Sequence, residues 1–109
     1  VVRGSQESIE VGGGKVGIYI LLSNLTEEGN RTLKKNPDRI KEVNKELEKM
    51  GGKVTAQYAT LGCYDFVNIV EAPDNATIAR ISAELGSRGS VKIMTLPTIP
   101  IDSFIQSLK

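Results

Sequence analysis

Few side chains in this 109-residue chain can do chemistry, because it has no histidine and a single cysteine, Cys63. A Ser-His-Asp triad, a Cys-His pair and a histidine-ligated zinc site are impossible within one copy. No CxxC metal knuckle or internal disulfide can form either. Acid–base work near neutral pH would fall to a carboxylate, lysine, tyrosine or cysteine with a displaced pKa, or to a bound cofactor. No cofactor motif is present: Gly12-Gly13-Gly14-Lys15 is followed by Val16 and leads into a strand, whereas a phosphate loop needs GxxxxGK with Ser or Thr before a helix. The plausible reactive set is Tyr19, Tyr58, Tyr64 and Asp65, the last two close to Gly62 in one turn. With no histidine to activate its thiol, Cys63 reads as an ordinary turn residue. Arg39, near a helix start where backbone amides favour anions, reads first as a surface cation.

The formal net charge of +1 gives no general pull toward nucleic acid or anionic membrane. The strands are aliphatic rather than basic and aromatic, which also argues against an RNA-binding sheet. No apolar run approaches the roughly 18 residues of a membrane span, and no signal-peptide pattern opens the sequence, so a cytoplasmic location is expected. The length suits one domain with one core.

Residues 1–15 are polar and glycine-rich and are expected to form a flexible tail, with Ile9-Glu10-Val11 as a candidate edge strand. Residues 16–109 form the expected domain. Val16 to Leu22 is the clearest strand, with Val16, Ile18, Ile20 and Leu22 on one face and Tyr19 and Leu21 on the other. A helical turn is expected near Thr26. Asn36-Pro37-Asp38 predicts a helix start with Asn36 as N-cap, and Ile40, Val43, Leu47 and Met50 make its buried stripe. Gly51-Gly52 ends it. The second strand, Lys53 to Leu61, places Val54, Ala56 and Tyr58 opposite to Thr55, Gln57 and Ala59. Gly62-Cys63 predicts a tight hairpin into a third strand, Asp65 to Ala72, with Phe66, Val70 and Ala72 facing away from Val67 and Ile69. Asp74 caps a second helix with stripe Ile78, Ile81 and Leu85. A last strand from Ser90 to Leu96 and a short helix from Asp102 to Leu108 complete the chain.

Two such halves predict an α+β, ferredoxin-like βαββαβ fold with a four-stranded antiparallel sheet and both helices on one face. Those helices leave the other face bare, yet the middle strands are apolar on both sides. Burying each such side chain stabilises by roughly 1.5–3 kcal/mol. A second copy packed sheet to sheet is therefore expected, in a dimeric α/β-barrel-type assembly.

Tyr58 to Asp74, centred on Gly62-Cys63-Tyr64-Asp65, resembles the GYD domain family, named for its Gly-x-Tyr-Asp turn and of unknown function. Thr26-x-x-Gly29, Asn36-Pro37-x-Arg39 and Leu85-Gly86-x-x-Gly89-x-Val91 extend the resemblance. More distantly, the chain is similar to the effector-binding domain of leucine-responsive/asparagine-type regulators, in which small effectors bind at subunit contacts near the corresponding turn. The resemblance implies a homo-oligomeric module, more a binding protein than an enzyme, with a small-molecule effector as candidate ligand. Tyr19, Tyr58, Gly62, Tyr64 and Asp65 are its ligand or interface candidates. Tyr64 and Asp65 equally suit a purely structural role in the turn. The alternative is a cofactor-free enzyme of the dimeric α/β-barrel type, monooxygenase- or isomerase-like, requiring a closed cavity lined by Tyr19, Tyr58, Tyr64 and Asp65.

Overall fold

A computed structural model of the chain describes residues 9–11 and 14–109, with side chains from Val16 onward. Residues 1–8 and 12–13, most of the expected tail and two glycines of the GGGK string, lie outside the described residues. The elements are β1 (Ile9–Val11), β2 (Gly14–Leu25), α1 (Glu27–Lys35), α2 (Arg39–Lys49), β3 (Lys53–Ala59), β4 (Phe66–Ala72), α3 (Asn75–Ser87), β5 (Val91–Pro97) and α4 (Ile101–Ser107). Four strands form an antiparallel sheet in the order β3-β4-β2-β5. This is the ferredoxin-like arrangement, reached by two crossovers that bring α2 and α3 to one face. Strand β1 pairs with the first residues of β2, Ile9 opposite Val16 and Val11 opposite Gly14. That pairing precedes the point, Gly17 opposite Ala72, where β2 joins the main sheet.

The helix-covered face carries the core. Tyr19, Leu21, Val70 and Ala72 from the sheet meet Leu47 from α2 and Ile78, Ile81 and Leu85 from α3. Asp74 caps α3 as expected, its Oδ1 accepting the Thr77 N–H at 2.8 Å. Hydrogen bonds from Thr77 hold the Asp74 carboxyl below its usual range. Gly52 packs closely under α2: an added Cβ would stand 2.7 Å from Leu47 Cδ2.

Several local expectations are corrected. Helix α2 begins at Arg39, two residues later than expected, because Asn36 is used by the preceding helix: its N–H bonds Thr32 O and closes α1. Pro37-Asp38 then makes a tight turn, with Arg39 N bonding Asn36 O at 3.0 Å. The β3–β4 connection is a six-residue loop, 60–65, rather than a two-residue hairpin. Thr60 closes it, its N–H donating to Asp65 O at 2.8 Å and its hydroxyl to Tyr64 O at 2.6 Å. A bulge between Val54 and Ala56 breaks the alternation of β3. Val54 therefore shares the helix-covered face with Gln57, while Ala56 and Tyr58 go to the other. In α2 only Leu47 of the expected stripe is fully buried; Ile40, Val43 and Met50 are half-buried. Helix α4 buries none of its residues, and Phe104, Ile105 and Leu108 stay exposed.

Pairing registers define the uncovered face. Met94, Leu22, Val67 and Tyr58 align across the four strands in one row, and Leu96, Ile20, Ile69 and Ala56 in the next. No helix of the described residues is long and apolar enough to cross a membrane.

Candidate functional site

The loop that carries the Gly-x-Tyr-Asp string is held by its aspartate. Asp65 N donates to Ser23 O at 2.9 Å and to Asn24 Oδ1 at 3.1 Å, and Asp65 Oδ2 accepts the Leu25 N–H at 2.8 Å. The end of β2 and the loop are thereby tied. Gly62 adopts φ +119°, open to glycine but costly for other residues. Leu61 and Cys63 at the tip are exposed. Tyr64 lies against the uncovered face, with its Oη 3.5 Å from Met94 Sδ, near the row that includes exposed Tyr58. Tyr19 lies on the opposite face, fully buried, and its hydroxyl donates to Asn75 Oδ1 at 2.7 Å. The five candidates are thus split: Tyr58 and Tyr64 share the open sheet face, Gly62 and Asp65 shape the loop, and Tyr19 belongs to the core.

Two further matched segments meet on the far side of the sheet. The Thr26 hydroxyl donates to Gly89 O at 2.6 Å, Thr26 N donates to Ser90 O at 2.9 Å, and Gly29 N donates back to Thr26 Oγ1 at 3.1 Å. A Cβ on Gly29 would stand 2.1 Å from Ser90 O, so only glycine lets α1 approach this strand entry. Gly89 has φ +81°. The Thr26-x-x-Gly29 and Gly89-x-Val91 strings form one joint.

Beside this joint, between α1, α2 and the sheet, lies a cavity of about 160 Å³. Leu33, Ile40, Val43, Phe66 and Ile93 contribute much of its apolar wall, and Ser23, Asn44, Gln57 and Asn68 its polar part. The three amides form a chain. Asn44 Nδ2 donates to Gln57 Oε1 at 2.8 Å, Gln57 Nε2 to Asn68 Oδ1 at 2.8 Å, and Asn68 Nδ2 to Leu21 O at 2.9 Å. Arg39 and Arg88 reach the cavity too, and Glu46 joins them: Arg39 Nη1 lies 3.2 Å from Glu46 Oε2, and Arg88 Nη1 contacts Glu46 Oε1. Arg88 also pairs with Glu84 at 3.2 Å. Hydrogen bonding from Arg88, helped by the charges of both arginines, holds the Glu46 carboxyl below its usual range.

None of Tyr19, Tyr58, Tyr64 and Asp65 lines this cavity. Ser23, Asn44, Gln57 and Asn68 were not singled out from the sequence, and they differ in how legible they are. Ser23 and Asn68 continue inward-facing rows, two residues after Leu21 and two before Val70, so period-two counting reaches them. The bulge in β3 hides Gln57, because strict alternation separates it from Val54. Among the described residues no three Cys, Asp or Glu side chains gather in a metal-binding group.

The GYD domain model matches residues 19–108, from the core tyrosine to the last helix. This chain belongs to the GYD domain family. It is also 61% identical over 92 residues, 84% of its length and 97% of the relative's, to a Thermus thermophilus protein named "Glutamine synthetase and cystathionine beta-lyase binding protein". No solved structure matches the chain.

Proposed function

We propose that this chain is a non-enzymatic, homo-oligomeric binding module that docks on metabolic enzymes, glutamine synthetase and cystathionine β-lyase being the candidates. What carries this reading is the 61% identity to a relative named for binding those two enzymes, matched over nearly its whole length. Identity at that level favours a shared partner type, although fold alone would not.

Self-association is the second part of the proposal. Four strands about 4.8 Å apart and seven residues long offer a face of roughly 400 Å². That lies within the range where the largest exposed patches of monomers are often functional. Ile101, Phe104 and Ile105 of α4, and Leu108 after it, are exposed apolar side chains as well, and a standard interface takes roughly 800 Å² per partner. A second copy applied face to face would cover the Met94–Tyr58 and Leu96–Ala56 rows together, with Tyr64 between the copies. A cytoplasmic location is part of the same proposal, since the unpaired and exposed Cys63 suits a reducing compartment.

The cavity favours a further part of the reading: the module takes a small-molecule effector. A concave, mostly apolar space with a few convergent polar groups is the usual form of such a site.

The docking part is tested by biolayer interferometry with purified glutamine synthetase and cystathionine β-lyase from the organism that encodes the chain. Saturable binding to either enzyme is the expected result. Flat responses to both at 100-fold molar excess would overturn it.

A further inference from the structure

We infer that the cavity between α1, α2 and the sheet is a binding site for a compact, mostly apolar molecule carrying one neutral carbonyl oxygen. This rests on the effector reading above and names its site and chemistry.

Size sets the first limit. An apolar protein cavity of about 150 Å³ holds a benzene-sized guest, and this one measures about 160 Å³. Its walls are chiefly aliphatic and aromatic carbon from Leu21, Leu25, Leu33, Val43, Phe66 and Ile93. A branched or aromatic body of six to eight non-hydrogen atoms matches that space, as an order-of-magnitude comparison with the benzene case.

The polar groups decide the rest. Asn68 and Gln57 spend their amides on each other, on Asn44 and on Leu21 O. Ser23 differs. It is 7% exposed and lines the cavity, and it accepts only a long 3.5 Å contact from Asn68 Nδ2. Its own hydroxyl proton has no acceptor among the described residues, and leaving such a donor buried and unpaired is costly. Asn44 Nδ2, with one proton on Gln57, has a second available on the same wall. Ser23 Oγ and Asn44 Nδ2 each have a proton to give, and one ligand acceptor between them satisfies both.

That acceptor is uncharged. The cations at this site, Arg39 and Arg88, already face Glu42, Glu46 and Glu84. An anionic ligand would meet three carboxylates set against two guanidiniums, which leaves no net positive charge to hold it. A ketone, ester or primary amide oxygen asks for none.

Protein-observed ¹⁵N NMR titration tests the inference, with isovaleramide as carbonyl probe, isovalerate as its charged counterpart and benzene as apolar probe. Isovaleramide should give saturable shifts at the side-chain amides of Asn44, Gln57 and Asn68, and should bind more tightly than isovalerate. Ser23→Ala, nearly isosteric, should weaken isovaleramide about fivefold, the size of one neutral hydrogen bond, and leave benzene unchanged. Val43→Phe, which fills the space, should abolish both, with spectral dispersion confirming that each variant is folded. Saturable isovaleramide shifts elsewhere, indifferent to both substitutions, would overturn the site while leaving the effector reading standing. Isovalerate binding as tightly as isovaleramide would overturn the neutral-carbonyl chemistry. No saturable shift with any probe would overturn the inference, and the effector reading falls with it only if a thermal-shift screen of metabolites is flat as well.

Discussion

Asp65 reaches across from the β3–β4 loop to the last residue of β2, its Oδ2 accepting the Leu25 N–H at 2.8 Å. Strand pairing between β2 and β4 ends at Ser23–Phe66, so beyond that point the carboxylate supplies the partner a ladder would have given. The aspartate of the family's turn thus has a local, structural task, whatever else the loop touches.

Truncating that group should cost stability. Asp65→Ala removes a charge-assisted bond to a half-buried amide, a change expected to destabilise by about 1–3 kcal/mol. For a domain near 100 residues each kcal/mol lowers Tm by roughly 4–8 °C. Asp65→Asn keeps a carbonyl acceptor and should lose less than half as much. Thermal unfolding of the three proteins measures this, and equal Tm values for Asp65→Ala and the parent would remove the assigned role.

Glycines at α1 and α3 should respond in opposite directions to alanine. Gly29→Ala drives a methyl to 2.1 Å from the Ser90 carbonyl, a backbone atom that cannot swing aside. Helix α1 must lift, at a cost expected near 1–3 kcal/mol for overpacking. Gly86 lies in α3 with nothing within 4 Å of an added Cβ. There the gain in helix propensity should stabilise by up to about 1 kcal/mol. Urea denaturation of both variants decides, and Gly29→Ala matching the parent would show that α1 moves freely.

The order of elements was legible in the sequence because each boundary has a local cause. Asp74 before α3, Gly51 after α2 and the paired apolar runs of β2 and β4 are written in neighbouring residues. What escaped was non-local. Asn36 looks like a helix N-cap until the preceding helix claims its N–H. The bulge at Thr55 reverses the faces of the following residues without any mark in composition. The cavity depends on where α1 rests, which the contact of Gly29 with Ser90 sets across some sixty residues of chain. Ser23 and Asn68 were within reach of the period-two pattern, as polar positions interrupting an inward apolar row, but the aromatic and acidic residues of the turn drew the chemical reading instead.

Acid should dissolve the bridge at the cavity. Glu46 has a folded pKa below its ordinary value, so its contribution is fully present above the unfolded value of about 4.3. It is lost as pH falls through the depressed folded value. Comparing the parent with Glu46→Gln isolates this part. Their Tm difference should stay constant from pH 8 to about 5.5 and shrink toward zero as pH falls well below the unfolded value. A difference that persists in acid would mean that Glu46 acts through packing rather than charge.

Self-association should fail when charge is placed within the apolar rows. Ile20 sits in β2, between Ile69 and Leu96 on the uncovered face, where a glutamate would be solvated in a single copy and buried without a partner between two. Desolvating that carboxylate costs several kcal/mol, while a lone subunit loses only the modest packing of a half-buried side chain. Ile20→Glu should therefore sediment as a monomer at concentrations where the parent forms a larger species, with circular dichroism unchanged. The same substitution at Lys92, on the rim of that face, should leave the assembly intact. If the parent itself sediments as a single copy at 100 µM, the sheet face is not a surface for a second copy, and its apolar rows must serve the enzyme partners instead.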